Sequence, residues 1–152
     1  MIFVLNKAYK FKIINKISDV FGPSFVLQDI LENKLIMTSV YYDNEIYNLK
    51  IGMEITCYVD KINCNGRIFL EPEHPYYKIG DIHTFPFIRK SKRYDKDGNE
   101  TDVLIVKDIY GNECTALPKD KNQLLDTYSP ENIECKVIKI KKSQVYLANI
   151  SK

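Results

Sequence analysis

The chain has 152 residues, 45% of them apolar and 28% charged, with a net charge of +2 and a pI near 8.2. That balance is ordinary for a soluble globular protein, leaves room for one domain or two small ones, and by itself says little about partners. Four scattered cysteines and two histidines argue against a zinc site of usual spacing, and the opening "MIFVL" is too short for a signal segment or a membrane span.

Charge is unevenly distributed. Residues 1–76 hold 8 Lys/Arg and 9 Asp/Glu, whereas residues 77–152 hold 14 and 11, so the basic excess lies in the second half. Cysteine usage and the absence of a leader point to a cytoplasmic protein with no membrane association. No metal or cofactor is expected.

Along the chain most segments alternate as strands do, bounded by turn residues. "YKFKIINK" (Tyr9–Lys16) sets Tyr9, Phe11 and Ile13 against Lys10 and Lys12. A long loop follows, then "FVLQDILEN" (Phe25–Asn33), an apolar run ending in a hairpin turn. There Asp29 can bond nearby backbone and Asn33 can take a positive φ. "KLIMTSV" is a third strand, and "YYDNEIYNLKIG" an irregular segment with room for a short helix, ending in a turn at Gly52. "EITCYVDKI" and "RIFL" supply a fourth and a fifth strand.

The second half repeats this order. Phe85 and Phe87 of "HTFPFIRK" stand where Phe11 and Ile13 stood, and "LIVKDIYGN" (Leu104–Asn112) matches Phe25–Asn33 without a gap. Ile133, Cys135 and Val137 match Ile55, Cys57 and Val59; Val145, Tyr146 and Leu147 match Ile68, Phe69 and Leu70. The spacing between copies changes only at turns and links, where loops tolerate insertions. The chain is therefore read as all-β: two tandem five-stranded OB-like barrels with short helical or irregular links. The first barrel is assigned to residues 1–74 and the second to 75–152. "EPEHPYY" reads as a stiff connector, because Pro72 and Pro75 fix their own φ and extend their predecessors. Glu71, Glu73 and His74 point to different sides of such a chain and lack the partners a catalytic centre needs. Tyr76 and Tyr77 would pack the connector down.

About 60 residues of the first copy resemble an S1-like RNA-binding domain. The likeness rests on "KISDVFGPSFVL" (Lys16–Leu27) and on "GMEITCYVDKINCNGRIFL" (Gly52–Leu70). It implies an OB fold and binding of single-stranded nucleic acid, RNA before DNA. Pro23 and Ser24 add one residue to the usual spacing between the Gly and the Phe, which turns Phe25 toward the core. The stacking role is therefore carried to Phe21 rather than to Phe25.

Single-strand binding needs cations for phosphates and flat rings for bases. The strongest candidate is "RKSKRYDK" (Arg89–Lys96), placed in the first loop of the second copy, with Arg89, Lys90, Lys92 and Arg93 around Tyr94. A solvated hairpin arm is the competing reading. Lys10, Lys12 and Lys16 on the outer face of the first strand, with Phe21 beyond, form a second candidate; edge lysines that keep the strand soluble are the alternative. Lys136, Lys139, Lys141 and Lys142 are a weaker third. Phe69 and Tyr146 point outward at equivalent positions, and Phe69 is assigned to an inter-barrel contact in preference to stacking. Tyr58 points outward as well; Tyr41 and Tyr42 are open to either role. Cys57 and Cys135 read as buried thiols and Cys64 as an exposed one. No nucleophile–base arrangement or phosphate loop appears, so the expectation is a non-catalytic binder of single-stranded RNA or DNA. The alternative is a module that binds a protein partner in a larger complex.

Overall fold

The computed structural model describes residues 3–20 and 22–151, with Asp19 described by its backbone only. The chain is all-β and forms two compact units. The first comprises residues 1–76 together with the turn 141–143; the second comprises residues 77–140 and 144–152.

The first unit holds β1 (Ala8–Asp19), β2 (Gly22–Gln28), β3 (Lys34–Thr38), β4 (Glu54–Ile62) and β5 (Ile68–Pro72). Their order across the sheet is β3-β2-β1-β4-β5, with every printed pairing antiparallel. The second unit holds β6 (Ile82–Tyr94), β7 (Glu100–Lys107), β8 (Glu113–Leu117), β9 (Asn132–Lys141) and β10 (Gln144–Asn149). It is a closed barrel in the order β10-β8-β7-β6-β9, sealed where β10 runs parallel to β8. The two orders are the same strand for strand. Closure differs: β3 and β5 of the first unit form no hydrogen-bonded ladder among the described residues. The two five-stranded units agree with the expected tandem pair of barrel-like domains, and a closing ladder is present in the second.

Alternation sends one set of side chains inward in each unit. Phe11, Ile13, Phe25, Leu27, Met37, Cys57 and Val59 are all 2% exposed or less. Phe85, Leu104, Val106, Ala116, Ile133, Cys135, Val137 and Leu147 fill the second core. Phe25 is thus a core residue, and Cys57 and Cys135 are buried at matching positions, while Cys64 is exposed. The copies agree beyond the strands. Phe3 stacks on Phe11 (5.0–6.0 Å separates it from Tyr9 and Phe11) and meets Tyr9 edge-on. Tyr77 does the same with Phe85 at 5.6 Å and His83 at 5.1 Å. These are the same three positions, each 74 residues further on.

Three differences from the sequence reading concern strand ends. No long loop separates the first two strands: β1 runs on to Asp19 and β2 begins at Gly22. In the second copy the supposed loop Arg89–Lys96 is mostly strand, since β6 continues to Tyr94 and pairs with β7 back to Glu100. Only Asp95–Asn99 turns. The supposed connector also begins later, because Glu71 and Pro72 pair with Tyr58 and Cys57 inside the sheet. Tyr77 is buried and Tyr76 is exposed. The irregular segments contain turns in the first copy and a 3-10 turn, Lys121–Leu124, in the second. Among the described residues no helix is long and apolar enough to cross a membrane.

Candidate nucleic-acid interface

The side of the strand on which each cation lies is set by a bulge. The β6–β7 register slips between Phe87 and Arg89, and β1–β2 slips at the equivalent place, between Ile13 and Asn15. One extra residue reverses the alternation beyond it. Arg89, Ser91 and Arg93 therefore lie on the side away from Leu104 and Val106, opposite Ile105, Val103 and Thr101, of which Ile105 and Val103 are themselves buried. Lys90, Lys92 and Tyr94 take the other side, opposite Leu104, Asp102 and Glu100. The predicted cluster is split between two sides. The same slip separates Lys16 from Lys10 and Lys12, which correct alternation without a bulge had placed together. Lys10 and Lys12 lie opposite Thr56 and Glu54, whereas Lys16 lies opposite the buried Phe25.

The outward side of β6 continues across three more strands. Arg89 is in register with Ile105 on β7, Ile105 with Thr115 on β8, and Thr115 with Tyr146 on β10. This face thus ends in the Tyr146 ring. The guanidinium of Arg93 lies 5.4 Å from the ring centre and the Lys139 ammonium 5.6 Å from it. Neither cation forms an ion pair among the described residues. Lys107 shares the face by register, and sequence reading passed over it because its role depends on pairing with Glu113. Tyr94, at the end of β6, is 66% exposed.

Arg89, Lys90 and Lys92 are already engaged. Arg89 makes a two-pronged pair with Glu113, Nη1 to Oε2 at 2.9 Å and Nη2 to Oε1 at 2.8 Å. The Arg89 hydrogen bonds hold the Glu113 carboxyl below the usual glutamate range, against a smaller opposing effect of burial. Lys92 pairs with Glu100 at 2.5 Å. Lys90 donates to the Leu125 carbonyl and lies 3.9 Å from Asp126. In the first unit Lys16 pairs with Asp43 at 2.9 Å and sits 5.7 Å from the Phe25 ring centre. Phe21 lies outside the described residues. Phe69 is half-buried, with Arg67 at 4.9 Å and Lys61 at 5.9 Å from its ring centre, which mirrors Tyr146.

The connector residues have structural partners. Glu71 is buried and accepts hydrogen bonds from the Tyr42 hydroxyl at 2.6 Å and from the backbone N–H groups of Lys142 (2.7 Å) and Ser143 (3.3 Å). His74 accepts from the Tyr76 N–H at 3.1 Å and meets the Tyr47 ring edge-on. Among the described residues no three His, Cys, Asp or Glu side chains are grouped to hold a metal ion.

No family model matches the chain, and no curated protein matches it. Among solved structures it is similar to a multidomain protein with nucleic acid binding domains from Streptococcus pneumoniae TIGR4. That similarity has 9% identity and a TM-score of 0.35 over 96% of this chain and 51% of the other, so the chain spans about half its length. A second, described as "Molecular basis for abrogation of activation of pro-inflammatory cytokines", has 11% identity and a TM-score of 0.28, over 95% of this chain and 90% of the other. At these values neither similarity establishes a shared fold.

Proposed function

We propose that the chain is a non-catalytic binder of single-stranded nucleic acid that works through the outer face of the second unit. The observation that carries this reading is the Tyr146 ring flanked by Arg93 and Lys139, two cations without acid partners among the described residues. A base needs a flat ring, and its neighbouring phosphates need free positive charge; both lie here within 6 Å of each other. Arg93, Lys139 and Tyr146 lie on β6, β9 and β10, and the register between Arg89 and Tyr146 crosses β7 and β8, the second and third strands of the unit, which OB barrels use for oligonucleotides. Lys107 extends the surface along β7. RNA is preferred to DNA on the strength of the S1-like residues in the first copy.

The test is a fluorescence-anisotropy titration with labelled oligo(U) and oligo(dT) at low and high salt. Wild type should bind oligo(U) more tightly and weaken as salt rises, because bound phosphates release counterions. Tyr146→Ala should lose on the order of tenfold, the scale of one stacked base at about 1–3 kcal/mol. Arg93→Glu with Lys139→Glu should abolish binding while the far-UV spectrum stays unchanged. The acid-paired state of Arg89, Lys90 and Lys92 favours a second reading, a protein-binding module. That reading gains if no salt-sensitive binding to either oligonucleotide is seen.

A further inference from the structure

Arg89 shares its side of β6 with Arg93, and its register leads directly to Tyr146, yet it is the cation on that face with a complete partner. Glu113 occupies both prongs of its guanidinium at 2.8 and 2.9 Å. A carboxylate held that way uses the same fork that a phosphate would use. Glu113 faces the same side, since it pairs with Lys107 across β7 and β8. Both members of the pair remain about half exposed, 51% for Arg89 and 49% for Glu113, so a polyanion can reach the fork.

We propose that Glu113 is a resident anion that occupies the Arg89 fork and so limits how strongly this face holds a nucleic-acid strand. This rests on the reading of the face given above and adds its regulation. A phosphate arriving at Arg89 exchanges one anion for another. The carboxylate is released in place of a counterion, so the contact adds little affinity and little salt dependence. Arg93 and Lys139, which form no ion pair among the described residues, then set both quantities. Lys92 and Glu100 provide an internal comparison. They form an equally close pair, but Lys92 lies on the other side of β6, opposite Asp102.

The experiment measures affinity for labelled oligo(U) across a salt series for wild type, Glu113→Gln, Glu113→Asp and Glu100→Gln. Each variant is first checked for an unchanged far-UV spectrum. Glu113→Gln should tighten binding several-fold at low salt. It should also steepen the plot of log affinity against log salt by about 0.7, the value for one more phosphate neutralised on a single strand. Glu113→Asp keeps the charge and should stay near wild type. Glu100→Gln removes the same charge from the wrong side and should leave the slope unchanged. Binding by Glu113→Gln where wild type shows none would also support the proposal. Equal shifts for Glu113→Gln and Glu100→Gln would show a net-charge effect and overturn it, as would wild-type binding that Glu113→Gln leaves untouched; in both cases the binding face itself stands. No binding by any of the four proteins would overturn the face and the proposal together.

Discussion

Glu71 shows how much of a residue's role depends on what surrounds it. In sequence it sits among prolines and acids and can pass for a catalytic group. In the first unit it is 5% exposed, bound by Tyr42 and by the two N–H groups of the turn 141–143. Burial raises its pKa; the hydrogen bonds from Tyr42, Lys142 and Ser143 oppose this, and the outcome stays above the ordinary glutamate range. A carboxyl raised on folding binds its proton more tightly in the folded state. Its contribution to stability is therefore complete below the ordinary glutamate value and is lost as pH rises through the raised one. Glu71→Gln is neutral at every pH and keeps an acceptor oxygen for Tyr42 or the turn. Urea denaturation from about pH 4 to about pH 7 should show the variant gaining on wild type as pH rises. A difference that stays constant across that range would remove Glu71 as the source. No property of "LEPEHP" discloses this, because both groups of partners come from distant parts of the chain.

Hairpin turns, by contrast, are legible and repeated. Asp29, Asp95 and Asp108 each accept from two backbone N–H groups, the second belonging to an Asn four residues on. Asn63 does likewise toward Arg67. In all four turns the fourth residue adopts a left-handed φ: Glu32 at 67°, Gly66 at 84°, Gly98 at 80° and Gly111 at 83°. That is a type I turn closed by one left-handed residue. The Asp-x-x-x-Asn spacing carries the signal, and the sequence reading recovers the turn. It puts the positive φ on Asn33, one residue too late, because Asn tolerates that region and Glu32 does not advertise it. Glu32 is the strained copy. Glu32→Gly should relieve roughly 1 kcal/mol of left-handed strain, part of it offset by a freer unfolded chain. Thermal melting should then rise by a few degrees; a lower midpoint would mean that Glu32 makes a contact worth more than its backbone costs. The bulges at Ile14 and Ile88 are the opposite case. Each adds a residue where the pattern of apolar side chains barely changes, so alternation carried straight through assigns Lys16, Lys90 and Lys92 to the wrong side.

At the scale of the molecule, duplication is visible in sequence and barrel closure is not. Matching strands share composition, core positions and even their bulges, and the strand order is common to both units. Closure rests on one further ladder, the parallel pairing of Tyr146, Leu147 and Ala148 with Thr115, Ala116 and Leu117. The first unit offers Phe69 and Leu70 at the same positions, and no such ladder is present there among the described residues. Among the described residues β2 is the one ladder partner of β3. An edge strand holds half of its amides in hydrogen bonds and leaves the other half to water or to looser contacts. Native-state hydrogen exchange separates the two units on this point. In β8, amides directed toward β7 and toward β10 should both be slow. In β3, protection should alternate along Lys34–Thr38, slow toward β2 and fast on the other side. Uniform slow exchange through β3 would mean that the first sheet closes in solution, and the two copies would then be alike in closure as they are in order.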